Sequence, residues 1–236
     1  GGSGSGGSVN ANRARLCGMV EQVYREYQRQ LWDPALGGDG QAPVGCSKAS
    51  GHGEWHFHRF GTVGVMMMDL KEQRMWEPSG GVPAVEQPIV SSEQWACLNE
   101  ILTKVSGLDH LVVCSEYPFV DDSIEDAQYK AALPSHEHLG HRWPAHGAEL
   151  RKLTHALFAW RAKSPDRQVS LVAGGVGYAL NSTLTHITRG HIKQVVSGPL
   201  TDSSDRFWSE GKGDLDNDIV YDHAAPSTLV ETQNLS

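Results

Sequence analysis

The chain has no CxxC pair, no HExxH string, no GxSxG elbow and no apolar run long enough to cross a bilayer. Each absence removes a class of protein. Four cysteines, Cys17, Cys46, Cys97 and Cys114, stand far apart in 236 residues, so neither a zinc ribbon nor a dithiol redox motif is written here, and buried free thiols are expected. The string HEHLGH has Gly140 where a zinc protease spacing would need another residue pattern. Ser115 lacks a nucleophile elbow. The longest apolar runs, such as Val63 to Met68, fall well short of the ~20 residues that span a membrane. Positive charge is also scarce: Lys and Arg total 20 against 28 Asp and Glu, a net charge of -8 with no basic patch. A duplex nucleic-acid partner, which needs a cationic surface against phosphates, is therefore not expected, and neither is a membrane. The chain reads as soluble, with the cytoplasm as the default compartment.

What is present is ordinary for a globular protein: 39% hydrophobic and 20% charged residues can bury a core. The opening GGSGSGGS, residues 1–8, reads as a flexible added linker, and residues 9–236 are taken as one domain with no internal repeat. With the natural start hidden behind that linker, the lack of a leader says nothing about compartment. Apolar residues at Leu16, Met19, Val20, Val23, Tyr24, Tyr27 and Leu31 predict a helix from Asn12 to Trp32. Strands are predicted over Glu54 to Phe60, Val63 to Leu70, His110 to Ser115 and Gln168 to Ala173, with two more at Leu184 to Ile187 and Ile192 to Val196. Helices are predicted from Ser91 or Ser92 through Val105, closed by Gly107, and from about Ala145 to Lys163. The tail from Thr201 is polar and poorly patterned. Strands alternating with helices give an α/β fold with mixed β-sheets.

Several groups have chemical potential. His136, His138 and His141 with Glu137 could offer imidazole nitrogens to a zinc-type ion, but the favoured reading is a solvated loop that happens to be histidine-rich. His56 and His58 fall on one face of a strand. Asp121, Asp122, Glu125 and Asp126, and the run GDLDND at Gly213 to Asp218, are acidic stretches that lack the architecture of a calcium loop and read as solvated. The turn Gly174-Gly175-Val176-Gly177 fails as a dinucleotide fingerprint because Leu180 holds the third glycine position. It remains a strand-to-loop turn whose amides could face an anion.

Taken in order, several segments resemble the PhoD-like branch of the calcineurin-like metallophosphoesterases. FHRFGTVGVMMMDLKEQR is similar to a strand ending in Asp-x-Arg-x-x-Arg, with Asp69 and Arg74 in place and Lys71 substituting for the middle arginine. IVSSEQWACLNEIL resembles the family's helix through Ser91, Gln94, Trp95 and Leu98, and LVVCSEYPFV its Ser-x-x-Pro turn through Ser115 and Pro118. HEHLGHRWPAHGAELRKLTHALFAW resembles the Asp-His-Trp stretch and the helix after it, and HIKQVVSGPLTD a strand ending in Thr-Ser-Pro-Ile-Thr, matched by Gln194, Ser197 and Pro199.

The resemblance implies a metallophosphoesterase-like sandwich of sheets flanked by helices, of which this chain would be the C-terminal portion. It also implies phosphoester hydrolysis on divalent metals in intact members. Where the family carries Gly-Asp-Val-His after its strand, this chain has Gly174-Gly175-Val176-Gly177, so Gly175 and Gly177 stand at degenerate ligand positions. No catalytic residue and no cofactor is therefore expected in this chain. The leading expectation is a pseudophosphatase acting through binding, with a protein partner or the missing N-terminal half of the same domain. The alternative is an active hydrolase of phosphate esters whose main ligands lie upstream, with His136, His138, His141 or His186 substituting locally.

Overall fold

The structure is a computed structural model that describes residues 15, 16, 19, 55–70, 88–121, 142–176, 178–198 and 211–224. The chain forms two compact units, Gly1–Ala42 and Pro43–Ser236. In the first, Arg15, Leu16 and Met19 are helical, as the apolar spacing predicts, with both apolar side chains exposed. The rest of that predicted helix lies outside the described residues.

In the second unit the order is β1 (His56–Phe60), β2 (Val63–Met67), α1 (Ser92–Lys104), β3 (His110–Ser115), α2 (Gly147–Arg161) and β4 (Gln168–Ala173). Then follow β5 (Leu180–His186), β6 (Gly190–Val196), β7 (Gly211–Asp214) and β8 (Ile219–Ala224). A 3-10 turn, Trp143–His146, with proline at its start, leads directly into α2. All eight described strands join one sheet in the order β1-β2-β3-β4-β6-β5-β8-β7. Strands β2, β3, β4 and β6 run parallel, and the pairs β1/β2, β5/β6, β5/β8 and β7/β8 are antiparallel. The architecture is a mixed sheet with helices, as the alternation of elements predicts.

The parallel middle follows from the connections. From β2 through α1 to β3, and from β3 through α2 to β4, each crossover returns the chain to the next place in the sheet. Right-handed crossovers in one direction lay both helices on one face. That face is the core. Leu111 and Val113 of β3, Val169 and Leu171 of β4 and Ile192 of β6 are buried there in one cluster with Leu98 and Ile101 of α1 and Leu153, Leu157 and Phe158 of α2. The intervening positions, including Val172 and Val195, face away and stay partly open.

Local signals set the element ends. Ser91 caps α1, its hydroxyl accepting from the Gln94 amide at 3.1 Å, while Glu93 and Lys104 sit at the dipole ends that suit their charges. The helix ends at Lys104 with Val105 as its C-cap, and Gly107, at φ +70, closes it as expected and turns the chain toward β3. Gly61, at φ +61, makes the β1–β2 turn.

Three expectations need correction. The polar tail is not structureless: β7 and β8 complete the sheet, and Ile219, Tyr221 and His223 alternate into the interior along a strand whose odd positions are apolar or aromatic. The acidic run before β8 is not a solvated string. Leu215 is buried, and Asp216 Oδ1 accepts from the Asp218 and Ile219 amides at 2.9 Å each, so the carboxylate makes the turn that the hairpin needs. The cysteines are not all free thiols. Cys114 is free and half-buried, whereas Cys97, on the buried face of α1, is disulfide-bonded. Among the described residues no helix is long and apolar enough to cross a membrane.

The β7–β8 turn is fastened to α2. Arg151 Nε donates to the Leu215 carbonyl at 2.8 Å, and His155 Nε2 lies 2.6 Å from Asp216 Oδ2. Beneath them His186 is buried, its Nδ1 accepting from the Thr188 amide at 3.1 Å and its ring edge-on to His155. Burial holds the His186 pKa below the ordinary histidine value, helped by Arg189. The Asp216 carboxyl is also held below its ordinary value: its hydrogen bonds from the Asp218 amide and His155 outweigh the opposing effect of burial. Both shifts are depressions, so both stabilise at higher pH and lose that stabilisation as pH falls. Melting temperature is expected to drop in two stages, the first beginning below about pH 6.5 as His186 is forced to protonate and the second below about pH 4 as Asp216 does. Thermal melts across pH check this. His186→Gln, which keeps an acceptor for Thr188, is expected to flatten the first stage and leave the second.

Candidate functional site

In an open α/β sheet, ligands bind in the crevice beyond the carboxyl ends of the parallel strands. Here that edge carries Asp69 after β2, Ser115 and Glu116 at the end of β3, Gly174 and Gly175 after β4, and Ser197 after β6. The register places them level. Ser115 pairs with Ala173, Met68 donates to the Cys114 carbonyl, and the Ser197 amide donates to the Ala173 carbonyl. This edge is the candidate site, and most of the residues that carry the family resemblance converge on it.

Their side chains are engaged in holding the backbone. Gln94 of α1 clamps the end of β2: the Asp69 amide donates to its Oε1 at 2.9 Å and its Nε2 donates to the Asp69 carbonyl at 2.8 Å. Ser115 accepts from the indole of Trp143 at 2.9 Å, and that indole stacks on Phe119 with 5.4 Å between centroids. Glu149, in the first turn of α2, takes the Trp95 indole on one oxygen and the Ile89 and Val90 amides on the other. That carboxylate anchors the loop that enters α1.

Gln194 is the most connected of the set and is fully buried on β6. Its Oε1 accepts from the amides of Phe119 at 2.7 Å and Val120 at 3.1 Å, and its Nε2 donates to the Val120 carbonyl at 2.7 Å and to Ser182 Oγ at 3.1 Å. Every donor and acceptor of the carboxamide is used. Ser182 then lies 2.8 Å from His223 Nδ1 on β8. With Gln194 donating to the serine oxygen, the hydroxyl hydrogen is left for His223 Nδ1, the arrangement that satisfies all three groups.

Asp121 follows directly. Sequence reasoning placed it in a solvated acidic loop, but its side chain is buried, and Oδ2 accepts from Arg142 Nη1 at 2.9 Å and from the Tyr178 hydroxyl at 2.6 Å. A charge buried with a guanidinium and a phenol is structural in kind: removing one partner strands the others. Tyr178 thereby ties the glycine turn to the segment after β3. No local pattern could reveal a pair 57 positions apart.

The glycine turn itself is shaped by close approach. Gly175 sits at φ +67, and a Cβ placed there would lie 2.5 Å from the Glu116 carbonyl oxygen. Both facts demand glycine: the left-handed conformation costs a non-glycine residue about 1–2 kcal/mol, and a backbone oxygen cannot swing aside as a side chain can. The position is filled by its neighbour's backbone, with no space for a ligating side chain.

Other residues singled out by sequence fare variously. Gly177, His136, His138 and His141, and with them Asp122, Glu125 and Asp126, lie outside the described residues. His56 and His58 do share a face of β1, their rings 5.0 Å apart. His186 cannot serve at the glycine turn. It pairs with Gly190 at the start of β6, whereas the turn lies level with the end of β6, roughly 20 Å away along the strand. Among the described residues no group of three or more His, Cys, Asp or Glu is placed to hold a metal ion.

No family model matches the chain. No curated protein matches it either. Among solved structures it is similar to the structure of PhoD, with a TM-score of 0.44 and 12% identity over 63% of this chain and 29% of that one. The chain thus spans less than a third of that protein's length.

The Gln194 clamp is directly testable. Gln194→Leu leaves two amides, a carbonyl and a serine without their buried partner, and at ~1–3 kcal/mol for each stranded group it is expected to cost at least about 3 kcal/mol in chemical denaturation. Gln194→Glu, isosteric but unable to donate from its carboxylate, is expected to destabilise as well. Neutrality of both variants would remove the clamp from this account.

Proposed function

We propose that this chain is the C-terminal part of a PhoD-like metallophosphoesterase domain, and that it acts through binding rather than through phosphoester hydrolysis of its own. The observation that carries the reading is Gly175, where the family places a ligating aspartate. The left-handed backbone and the Glu116 carbonyl leave no room for that side chain. The order of family-like segments, from Asp69 through Gln94, Ser115 and Trp143 to Gln194, supports the family assignment.

Phosphoester hydrolysis by a two-metal centre needs ions about 3.5–4 Å apart, held so that one activates water while both stabilise the in-line displacement. The described residues at the strand ends do not fit such a centre. Gln94, Ser115, Gln194 and Asp121 are committed to backbone and side-chain partners, and the glycine turn offers only backbone. No catalytic step is therefore assigned to this chain. Its partner in binding is a protein surface or the N-terminal half of the same domain. The disulfide at Cys97 favours an oxidising compartment over the cytoplasm.

Hydrolysis of a generic aryl phosphate is expected to stay at the buffer rate with Zn2+, Mn2+ or Ca2+ added. Saturable turnover abolished by a chelator would overturn the reading and point to His136, His138 and His141 as replacement ligands. Gly175→Asp, which writes the family residue back, is expected to lower stability by about 1 kcal/mol or more without creating metal binding. Metal uptake by that variant, followed by calorimetry, would show that the turn can be a ligand position after all.

A further inference from the structure

Where β5 ends, the β5–β6 turn, the β7–β8 turn and helix α2 converge on one buried histidine. His186 is the last residue of β5, 5% exposed, and stands opposite Gly190 of β6 and Ile219 of β8. Its Nδ1 accepts from the Thr188 amide at 3.1 Å, with the Thr188 hydroxyl 3.4 Å away, which closes the β5–β6 turn. An imidazole that accepts at Nδ1 is neutral and carries its hydrogen on Nε2. The next residue, Ile187, donates its amide to the Asp218 carbonyl at 3.0 Å, so the β7–β8 turn is tied to the β5–β6 turn. Helix α2 holds both. Arg161 Nη1 donates to the Arg189 carbonyl at 2.7 Å, while Arg151 and His155 hold Leu215 and Asp216.

We propose that this corner of the sheet is a pH-sensitive latch, in which protonation of His186 opens the β5–β6 and β7–β8 turns while the helix-covered middle of the sheet stays closed. A second proton on the ring enters at Nδ1, where the Thr188 N–H already points, so two donors would face each other. The new charge would also be buried.

The charged groups around the ring come from each element packed on it. Arg189 of the β5–β6 turn and His155 of α2 oppose a positive imidazole, whereas Asp216 and Asp218 of the β7–β8 turn favour one. Asp216 is not free to turn toward it, since His155 takes one of its oxygens and two amides take the other. Phe158 packs against the ring as well, with 5.3 Å between centroids. Burial is the largest influence, and the balance holds the ring below the ordinary histidine pKa. Neutral His186 is therefore the closed form, and the imidazolium belongs to an open one in which water reaches the ring. Once the ring leaves, Thr188 loses its acceptor and the Ile187 bond to Asp218 loses its support. The latch is independent of the reading of the glycine turn: this corner lies at the other end of β5 and β6, and the Gln194 bonds do not pass through it.

Hydrogen exchange of the full chain, read by mass spectrometry between about pH 7.5 and pH 5 and corrected for the intrinsic rate at each pH, tests this. Protection in peptides covering 184–190 and 213–219 is expected to fall by up to about tenfold per pH unit below about pH 6.5, and to level off below the pKa of the closed form. Peptides of α1 and β3 are expected to keep theirs. His186→Gln, which retains an acceptor for Thr188 and takes up no proton, is expected to abolish the dependence. A dependence that survives this change, or that His155→Gln removes instead, would overturn the proposal. So would protection that is flat with pH, or that falls equally in α1 and β3. These last two outcomes are read on the unaltered chain and decide the matter should either variant fold poorly.

Discussion

The Gln194 carboxamide joins three parts of the sheet that share no local sequence. It holds the backbone after β3 through Phe119 and Val120, starts from β6, and reaches β5 through Ser182, from which the chain of bonds continues to His223 on β8. A buried primary amide has two acceptor sites and two donors, and each unmade bond in an interior of low dielectric costs more than a made one gains. Those four bonds therefore set where the β3 loop can run. With that loop fixed, the Glu116 carbonyl lies against Gly175, Asp121 reaches Arg142 and Tyr178, and Trp143 closes over Ser115. The shape of the strand-end edge rests on one side chain that carries no charge.

This bears on what a family resemblance means in the chain. The residues that carry it divide into those that would hold ions and those that hold the backbone where ions would be held. Gln94, Ser115, Trp143 and Gln194 are of the second kind: their hydrogen-bonding atoms go to main chain, to one another or, from Gln194, also to Ser182. A scaffold of that sort is needed for the fold whether or not chemistry takes place upon it. Ligand residues have no such second duty, and their replacement leaves the sheet intact. At Gly175 the Glu116 carbonyl fills the place a side chain would need, so the turn belongs to the scaffold.

The parts of the fold legible in the sequence were those set by local periodicity. Strands β3 and β4 begin and end where the apolar runs do, and α1 starts at a serine able to cap it. The β7–β8 hairpin was missed because polar residues occupy its outward positions and its turn is acidic, so the stretch read as solvent-facing tail. The alternation of Ile219, Tyr221 and His223 was the available signal. Asp121 was misjudged for the opposite reason: an acidic neighbourhood in sequence says nothing of Arg142 and Tyr178, which only the tertiary fold brings to it. Gln194 stood out solely through resemblance, since a glutamine in an apolar strand has no pattern of its own until its four partners are in place.

The same alternation that identifies the core also sets what the second face of the sheet presents. On β4, Val169, Leu171 and Ala173 point to the helices while Val172 points outward, and on β6 Ile192 and Val196 point inward while Val195 points outward. Gln168 and Ser170 of β4 and His191 and Lys193 of β6 share those outward places, so the second face is a mixed surface of polar side chains and valines. Valine there contributes nothing to the helix-covered core. It stabilises only if a second apolar surface removes it from water, at about 25 cal/mol for each Å² covered. The helix-covered face is therefore specified by its side chains far more tightly than the outward one, where Val172 and Val195 alternate with residues that suit water.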